Sequence, residues 1–303
     1  MQVLYAFKGT ESDDFSKDQK FLMYSINNMY NLYLLLISLL IAVQKRAEDH
    51  LEKTSKKHLA TDKEKNPNRK FVNNEVLAML KNNEQLQAKL AESKFINWDL
   101  DSEYVEIIFK AILNSDLYAE YLNTSTSTFK EDRNFIVEVF KEIIAPNDKL
   151  YDYLEDKNLT WLDDLPTVNT SILKLLRKSK PQSDAFHFLP KLYKDIDDKE
   201  FAVNLFKKTL LNQNALTEEI SKKTQNWDAD RIANIDHLLL KMGICELKNF
   251  SSIPTKVTIN EYLEIAKEYS TPKSSVFING ILDKLVKEYQ NEGKLNKVGR
   301  GLM

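Results

Sequence analysis

In FLMYSINNMYNLYLLLISLLIAV, Phe21–Val43, the residues Phe21, Leu22, Ser25, Ile26, Met29, Tyr33, Leu36, Leu40 and Val43 recur at steps of three and four. That spacing puts them on one side of an α-helix. It predicts a long helix beginning near Asp18, behind the polar starters Asp14 to Lys17. The centre of the stretch, LYLLLISLLIAV, is an apolar run of 12 residues. A membrane span needs roughly 20, so the run reads as buried helix core. The chain then turns polar, QKRAEDHLEKTSKKHLATDKEKNPNRK, and passes through Asn66-Pro67-Asn68. This reads as a solvated helical extension followed by a loop.

Composition carries the helical reading outward. In 303 residues there are 6 Gly and 7 Pro, little material for the turns of a many-stranded sheet, so the expected fold class is all-α. No glycine lies between Gly9 and Gly243, which excludes glycine-rich phosphate loops from most of the chain. Lys and Arg number 43 against 45 Asp and Glu, a net charge of −2. That balance does not advertise a nucleic-acid partner, although a local basic face fits within it. The single cysteine, Cys245, rules out an intrachain disulfide and multi-cysteine zinc sites and suits a reducing, cytoplasmic setting. The opening MQVLYAFKGTESDD lacks the pattern of a secretory signal.

Further helices are expected over Phe71–Leu90 and from Tyr104 to about Leu122, the latter with Asp99 and Asp101 as caps. Thr128 and Glu131 form a capping-box pattern that opens a helix running to Pro146. YDYLEDKN and SILKLLRKSK read as shorter helices around Pro166. Lys180-Pro181-Gln182-Ser183-Asp184 is the expected boundary. It divides an N-terminal helical domain, 1–182, from a C-terminal helical domain, 183–290, with a flexible tail, 291–303. The second domain is expected to hold helices at about Asp197–Leu211, Leu216–Thr224, Asp228–Lys248, Ile259–Tyr269 and Pro272–Tyr289.

Catalytic patterns are scarce. His50, His58, His187 and His237 do not fall at zinc-binding spacings, and His50 and His58 read more simply as solvent-facing helix residues. No metal, cofactor or catalytic residue is expected. The pairs Asp163-Asp164 and Asp197-Asp198 stand beside helix starts, where negative charge is favoured. Cys245 lies in an apolar helix stretch, where a thiol is usually inert packing. Two places read differently. In YSTPKSSVFINGILDKL, Thr271 is the expected N-cap and Pro272 the first helical residue. A helix start is thus surrounded by Lys273, Ser274 and Ser275, groups that suit a phosphate. In WDADRIANIDHLLLKMGICEL, Asp230 and Asp236 interrupt the edge of a broad apolar face. Such acids either stay solvated or meet a basic partner protein.

The segment from Trp227 to Leu285 resembles the C-terminal half of the NusB family of bacterial transcription antitermination factors. The resemblance rests on Ile253–Glu261 (IPTKVTINE), Glu264–Lys267 (EIAK) and Phe277–Lys284 (FINGILDK), in order from about Phe201 onward. MQVLYAF, Met1–Phe7, is similar to the first-helix motif of the same family. The resemblance implies NusB-like helical bundles, here with an enlarged N-terminal region, since roughly residues 20–185 show no match. It implies a non-enzymatic, cytoplasmic protein that binds single-stranded boxA RNA together with the ribosomal protein NusE, in RNA polymerase complexes that read through ribosomal RNA operons. The implied RNA-binding residues are Lys273, Ser274, Ser275, Phe277 and Asn279; Phe277 either stacks on a base or packs in the core. The implied partner-binding residues are Tyr5, Asp230 and Asp236. Lys273 departs from the acidic residue common there in the family. The family's arginine-rich segment would precede the first-helix motif, and Met1 already stands inside that motif. A misassigned start, a shortened chain and a weakened RNA affinity all stay open. The alternative is a helical protein-interaction scaffold that keeps the fold with RNA binding weakened or lost.

Overall fold

The computed structural model describes residues 1–7, 15–59, 61–224, 232–295 and 297, the side chain of Lys63 excepted. Among them every long regular element is helical. The first helices are α1 (Gln2–Phe7), α2 (Ser16–Ser55), α3 (Asp62–Lys65), α4 (Glu75–Asn82) and α5 (Glu84–Glu92). Then come α6 (Ser102–Leu113), α7 (Asp116–Tyr121), α8 (Phe129–Val139), α9 (Asp148–Lys157) and α10 (Leu165–Lys178). The last are α11 (Ile196–Leu211), α12 (Gln213–Lys223), α13 (Asn234–Asn249), α14 (Thr255–Tyr269) and α15 (Ser274–Asn291). The chain groups into two compact units, Met1–Met23 with Tyr193–Met303, and Tyr24–Leu192.

The Tyr24–Leu192 unit is organised on α2. Residues 32–40 are buried without interruption, more than two turns, so every face of the helix there is covered by protein. By length and composition α2 is apolar enough to cross a membrane, yet 61% of its apolar window is buried. The expected polar extension continues the helix to Ser55. Beyond it the single helix expected over Phe71–Leu90 is two, α4 and α5. Asn74 accepts from the amides of Val76 and Leu77, and Asn83 from that of Leu86. Short amide side chains compete for backbone donors and restart the helix. Ser115 does the same between α6 and α7. Asp99 and Asp101 do not cap through their side chains. Asp99 pairs with Lys45 at 3.4 Å, while Asp101 takes the Tyr153 hydroxyl at 2.8 Å and Lys157 at 2.9 Å.

The Thr128–Glu131 capping box is present, and α8 passes into a π-helical turn, Phe140–Ile144, before Pro146. α10 begins earlier than expected, at Leu165, because Pro166 sits in its first turn, where a missing N–H costs nothing. Beneath α4 and α8 lies a satisfied polar cluster. The buried carboxylate of Asp132 accepts the Glu75 amide at 2.7 Å, the Tyr121 hydroxyl at 2.5 Å and the Ser127 hydroxyl. His50 is half-buried, edge-on to Phe109 at 5.4 Å, whereas His58 is exposed.

The other unit joins α1 to α11–α15. Leu4 of α1 is buried in one cluster with Leu205, Leu239, Ile244 and Leu282. The first helix therefore groups with the C-terminal region rather than with residues 24–182, a grouping that differs from the expected division at 182. α13 is the central element, with residues 242–247 buried. A side chain at Gly243 would meet Leu282 at 3.3 Å and Tyr262 at 3.4 Å, so this glycine permits the close approach of α14 and α15. Cys245 is buried, and burial raises its thiol pKa. The tail expected to be flexible is tied at Lys297, whose ammonium donates to the Phe250 carbonyl at 2.9 Å, at the end of α13.

One carboxyl offers a test. Burial, and secondarily the charge of Asp163, pushes the Asp164 pKa from 3.8 up to about 6. The folded chain thus holds this proton more tightly than the unfolded chain, and stability is lost as pH rises from about 4 through about 6. Asp164→Asn should raise the thermal midpoint at about pH 7.5 while leaving it nearly unchanged near pH 4. The gain is about 1 kcal/mol after allowance for partial exposure.

Candidate nucleic-acid interface

The turn between α14 and α15 holds most of the residues singled out in the sequence. α14 ends at Tyr269, and Ser270 turns the chain into extended backbone. Thr271, Pro272 and Lys273 then form a tight turn, closed by the Ser274 amide on the Thr271 carbonyl at 2.9 Å. Regular α-helix starts at Ser274, not at Pro272 as expected. Thr271 is not the N-cap either: Lys273 holds that position without a side-chain cap, and Thr271 meets a serine hydroxyl instead of a helix amide. Its hydroxyl lies 2.8 Å from Ser274 Oγ, and its amide donates to Ser274 Oγ at 3.2 Å.

Below this turn lies Asp236, in the first turn of α13. One carboxylate oxygen accepts the Ser270 hydroxyl at 2.5 Å and the other accepts the Ser274 hydroxyl at 2.7 Å. The two hydroxyls are 3.0 Å apart. Asp236 is 5% and Ser274 1% exposed. The acid expected at a solvated edge is therefore an internal tie between the starts of α13 and α15 and the end of α14. A buried carboxylate is stable when hydrogen-bonded in this way. Its position beside two helix starts also offsets part of their positive polarity.

What faces outward is a different subset. Lys273 is exposed, Ser275 and Asn279 are half-buried, and Val276 is 75% exposed. Among the described residues, Lys273 has no ion pair, and the backbone amides of Lys273, Ser275 and Val276 have no backbone acceptor. Asn279 Nδ2 lies 3.4 Å from Asp283. Phe277 is half-buried against the core of this unit, which leaves part of its ring accessible. The expected partner residues divide too. Tyr5 is 46% exposed on α1, Asp236 is turned inward, and Asp230 lies outside the described residues. The side of α13 nearest α1 instead offers Asn234, His237 and Lys241, which line a small cleft with Leu4 and Phe7. Ser270 joins the site without a motif of its own; its signal is a hydroxyl residue directly after a helix end, three positions before Lys273.

Removing the charge that holds these three helix ends together should be costly. Asp236→Asn is expected to lower stability by about 1–3 kcal/mol, read as an earlier urea midpoint, since the buried Ser274 hydroxyl and the half-buried Ser270 hydroxyl then lose a carboxylate acceptor.

Comparison with known proteins finds relatives of the C-terminal part of the chain. A sequence model described as the NusB family matches residues 181–287. The transcription antitermination protein NusB of Salinibacter ruber is 43% identical over 121 residues, 39% of this chain and 76% of that protein. Its counterpart in Chloroherpeton thalassium is 40% identical over 129 residues, 42% of this chain and 61% of that protein. That of Methylacidiphilum infernorum is 42% identical over 94 residues, 31% and 66% of the two chains. The solved structure of T. maritima NusB is 31% identical and covers 40% of this chain and 84% of its own, with a TM-score of 0.31. With identity of this level over three quarters of a full-length relative, the chain belongs to the NusB family.

Proposed function

We propose that the protein is a transcription antitermination factor that acts by binding, without catalysis, in the cytoplasm. Its ligand in this reading is single-stranded boxA-type RNA, taken up together with the ribosomal protein NusE in an RNA polymerase antitermination complex. The relatives reported above carry the antitermination name. The observation that supports an RNA contact in this chain is the outward half of the α15 start. There the unpaired ammonium of Lys273 stands beside open backbone amides and the hydroxyl of Ser275. Such a group suits a phosphate. Lys273, Ser275, Phe277 and Asn279 are the contacting residues in this reading. Ser274, held on Asp236, positions the turn instead of touching RNA. For the NusE contact, Tyr5 supplies the exposed side chain.

A second reading is a helical protein-interaction scaffold of the same fold without RNA binding. It draws on the Asp236 carboxylate beneath the α15 start, which lowers the attraction for anions there. The two separate by binding of boxA-containing RNA against a scrambled control, with and without NusE, at two salt concentrations. Under the first reading boxA RNA is preferred, and Lys273→Glu lowers affinity about tenfold and flattens the salt dependence by the loss of one phosphate contact. No preference for boxA in the presence of NusE would overturn it and favour the scaffold.

A further inference from the structure

A groove of about 680 Å³ opens between α11, α13 and α14. It lies toward the C-terminal end of α13, beginning at Met242, about 9 Å along the helix direction from Asp236. Its lining is largely apolar, with Phe201, Leu205, Met242, Phe250, Val257 and Ile265. Phe201 and Phe250 meet edge-on at 5.0 Å, and Val257 is 45% exposed. Into this lining the sequence sets acids. On α14, Glu261 stands midway between Val257 and Ile265, four residues from each, so a carboxylate interrupts an apolar stripe facing the groove. On α11, Asp197, Glu200, Phe201 and Asn204 follow one another on one face.

Helix polarity accounts for some of these acids and not for others. Asp195 caps α11, Asp198 accepts the Lys194 amide at 2.8 Å and Asp197 stands in the first turn, ordinary places for acids at a helix start. Glu246, deeper in the groove, is satisfied by Thr258 at 2.7 Å and Tyr262 at 2.9 Å. Glu261 lies in the middle of its helix, beyond the reach of the helix dipole. Among the described residues Asp197, Glu200 and Glu261 are exposed and have no ion-pair partner. Two cations near Phe250 are already engaged: Lys208 over its ring at 5.5 Å and on Asn249 at 3.3 Å, and Lys297 on its carbonyl at 2.9 Å.

We propose that this groove docks a cationic amphipathic segment of a partner protein. Its apolar side chains cover Phe201, Phe250 and Val257, and its Lys or Arg groups meet Asp197, Glu200 and Glu261. Apolar contact supplies burial, and the unpaired carboxylates set orientation and attraction at distance. An anionic partner such as RNA is repelled here, so the surface is separate in chemistry from the α15 start.

The full chain is tested with a labelled, short amphipathic Leu/Lys peptide and its Leu/Glu counterpart, by fluorescence anisotropy and methyl NMR. The Leu/Lys peptide should bind, weaken as salt rises from about 50 to about 300 mM, and shift the methyl signals of Val257 and Ile265. The double variant Glu200→Lys, Glu261→Lys should lose about tenfold or more in affinity and gain affinity for the Leu/Glu peptide. Glu155→Lys, an exposed acid elsewhere, should change nothing. Val257→Asp should also weaken binding while helicity by circular dichroism stays constant. The proposal is overturned if both peptides bind alike, if rim reversal has no effect, or if the shifted signals lie outside the groove. Self-association that broadens the Val257 and Ile265 methyls without peptide would overturn it as well. None of these variants should alter boxA RNA binding, so its failure is distinguishable from that of the RNA reading.

Discussion

Asp236 holds the three helix ends of the α15 start in one place. Its two oxygens take hydroxyls from Ser270 and Ser274, which belong to the end of one helix and the start of another. A carboxyl group of 5% exposure is accommodated only when hydrogen-bond donors meet it closely. The requirement works in both directions. The hydroxyls need the acid, and the acid needs the helix ends brought together. The consequence for function is selective: Ser274 is consumed by the tie, while Lys273 and Ser275 are left on the outside of the same turn. What the sequence presents as one polar cluster is, in space, an internal lock with an external face.

The approach that makes the tie possible is set further along α13. Gly243 lets Leu282 and Tyr262 reach the helix at distances a larger residue would contest. On the same helix Glu246 gathers Thr258 and Tyr262 from α14. Two buried acids, ten residues apart on one helix, thus fix the course of α14 at both of its ends. Between them the packing is largely apolar, and around the second the groove opens with its unpaired carboxylates. Charge is used inward where it sets geometry and outward where it stays available.

The Tyr24–Leu192 unit solves the same problem of buried polarity with other residues. Asn74 is fully buried, caps α4 through its oxygen and gives its amide hydrogens to the Tyr121 hydroxyl and the Asp132 carbonyl. α2 supplies the apolar centre, covered on every side over residues 32–40. Only the end of this unit, 181–192, overlaps the matched family region, 181–287.

Helix content, the length of α2, the capping box at Thr128 and the family itself were legible in the sequence, because each depends on spacing within a few residues or on blocks in a fixed order. The breaks at Asn83 and Ser115 were written in the sequence as well, yet an apolar period running through them hid the side-chain competition for backbone donors. The candidate site was legible as a location and only partly as a list of residues. Which side of the turn Ser274 takes, and whether Asp236 faces solvent or serine hydroxyls, is decided by the packing of α14 and α15 on α13, contacts between residues 34 and 38 positions apart. The grouping of α1 with α11–α15 was likewise decided in three dimensions, since the burial of Leu4 beside Leu205 and Leu239 has no trace in local pattern. Periodicity reports which face of a helix is apolar; only the fold decides what that face, and each polar residue at its edge, will meet.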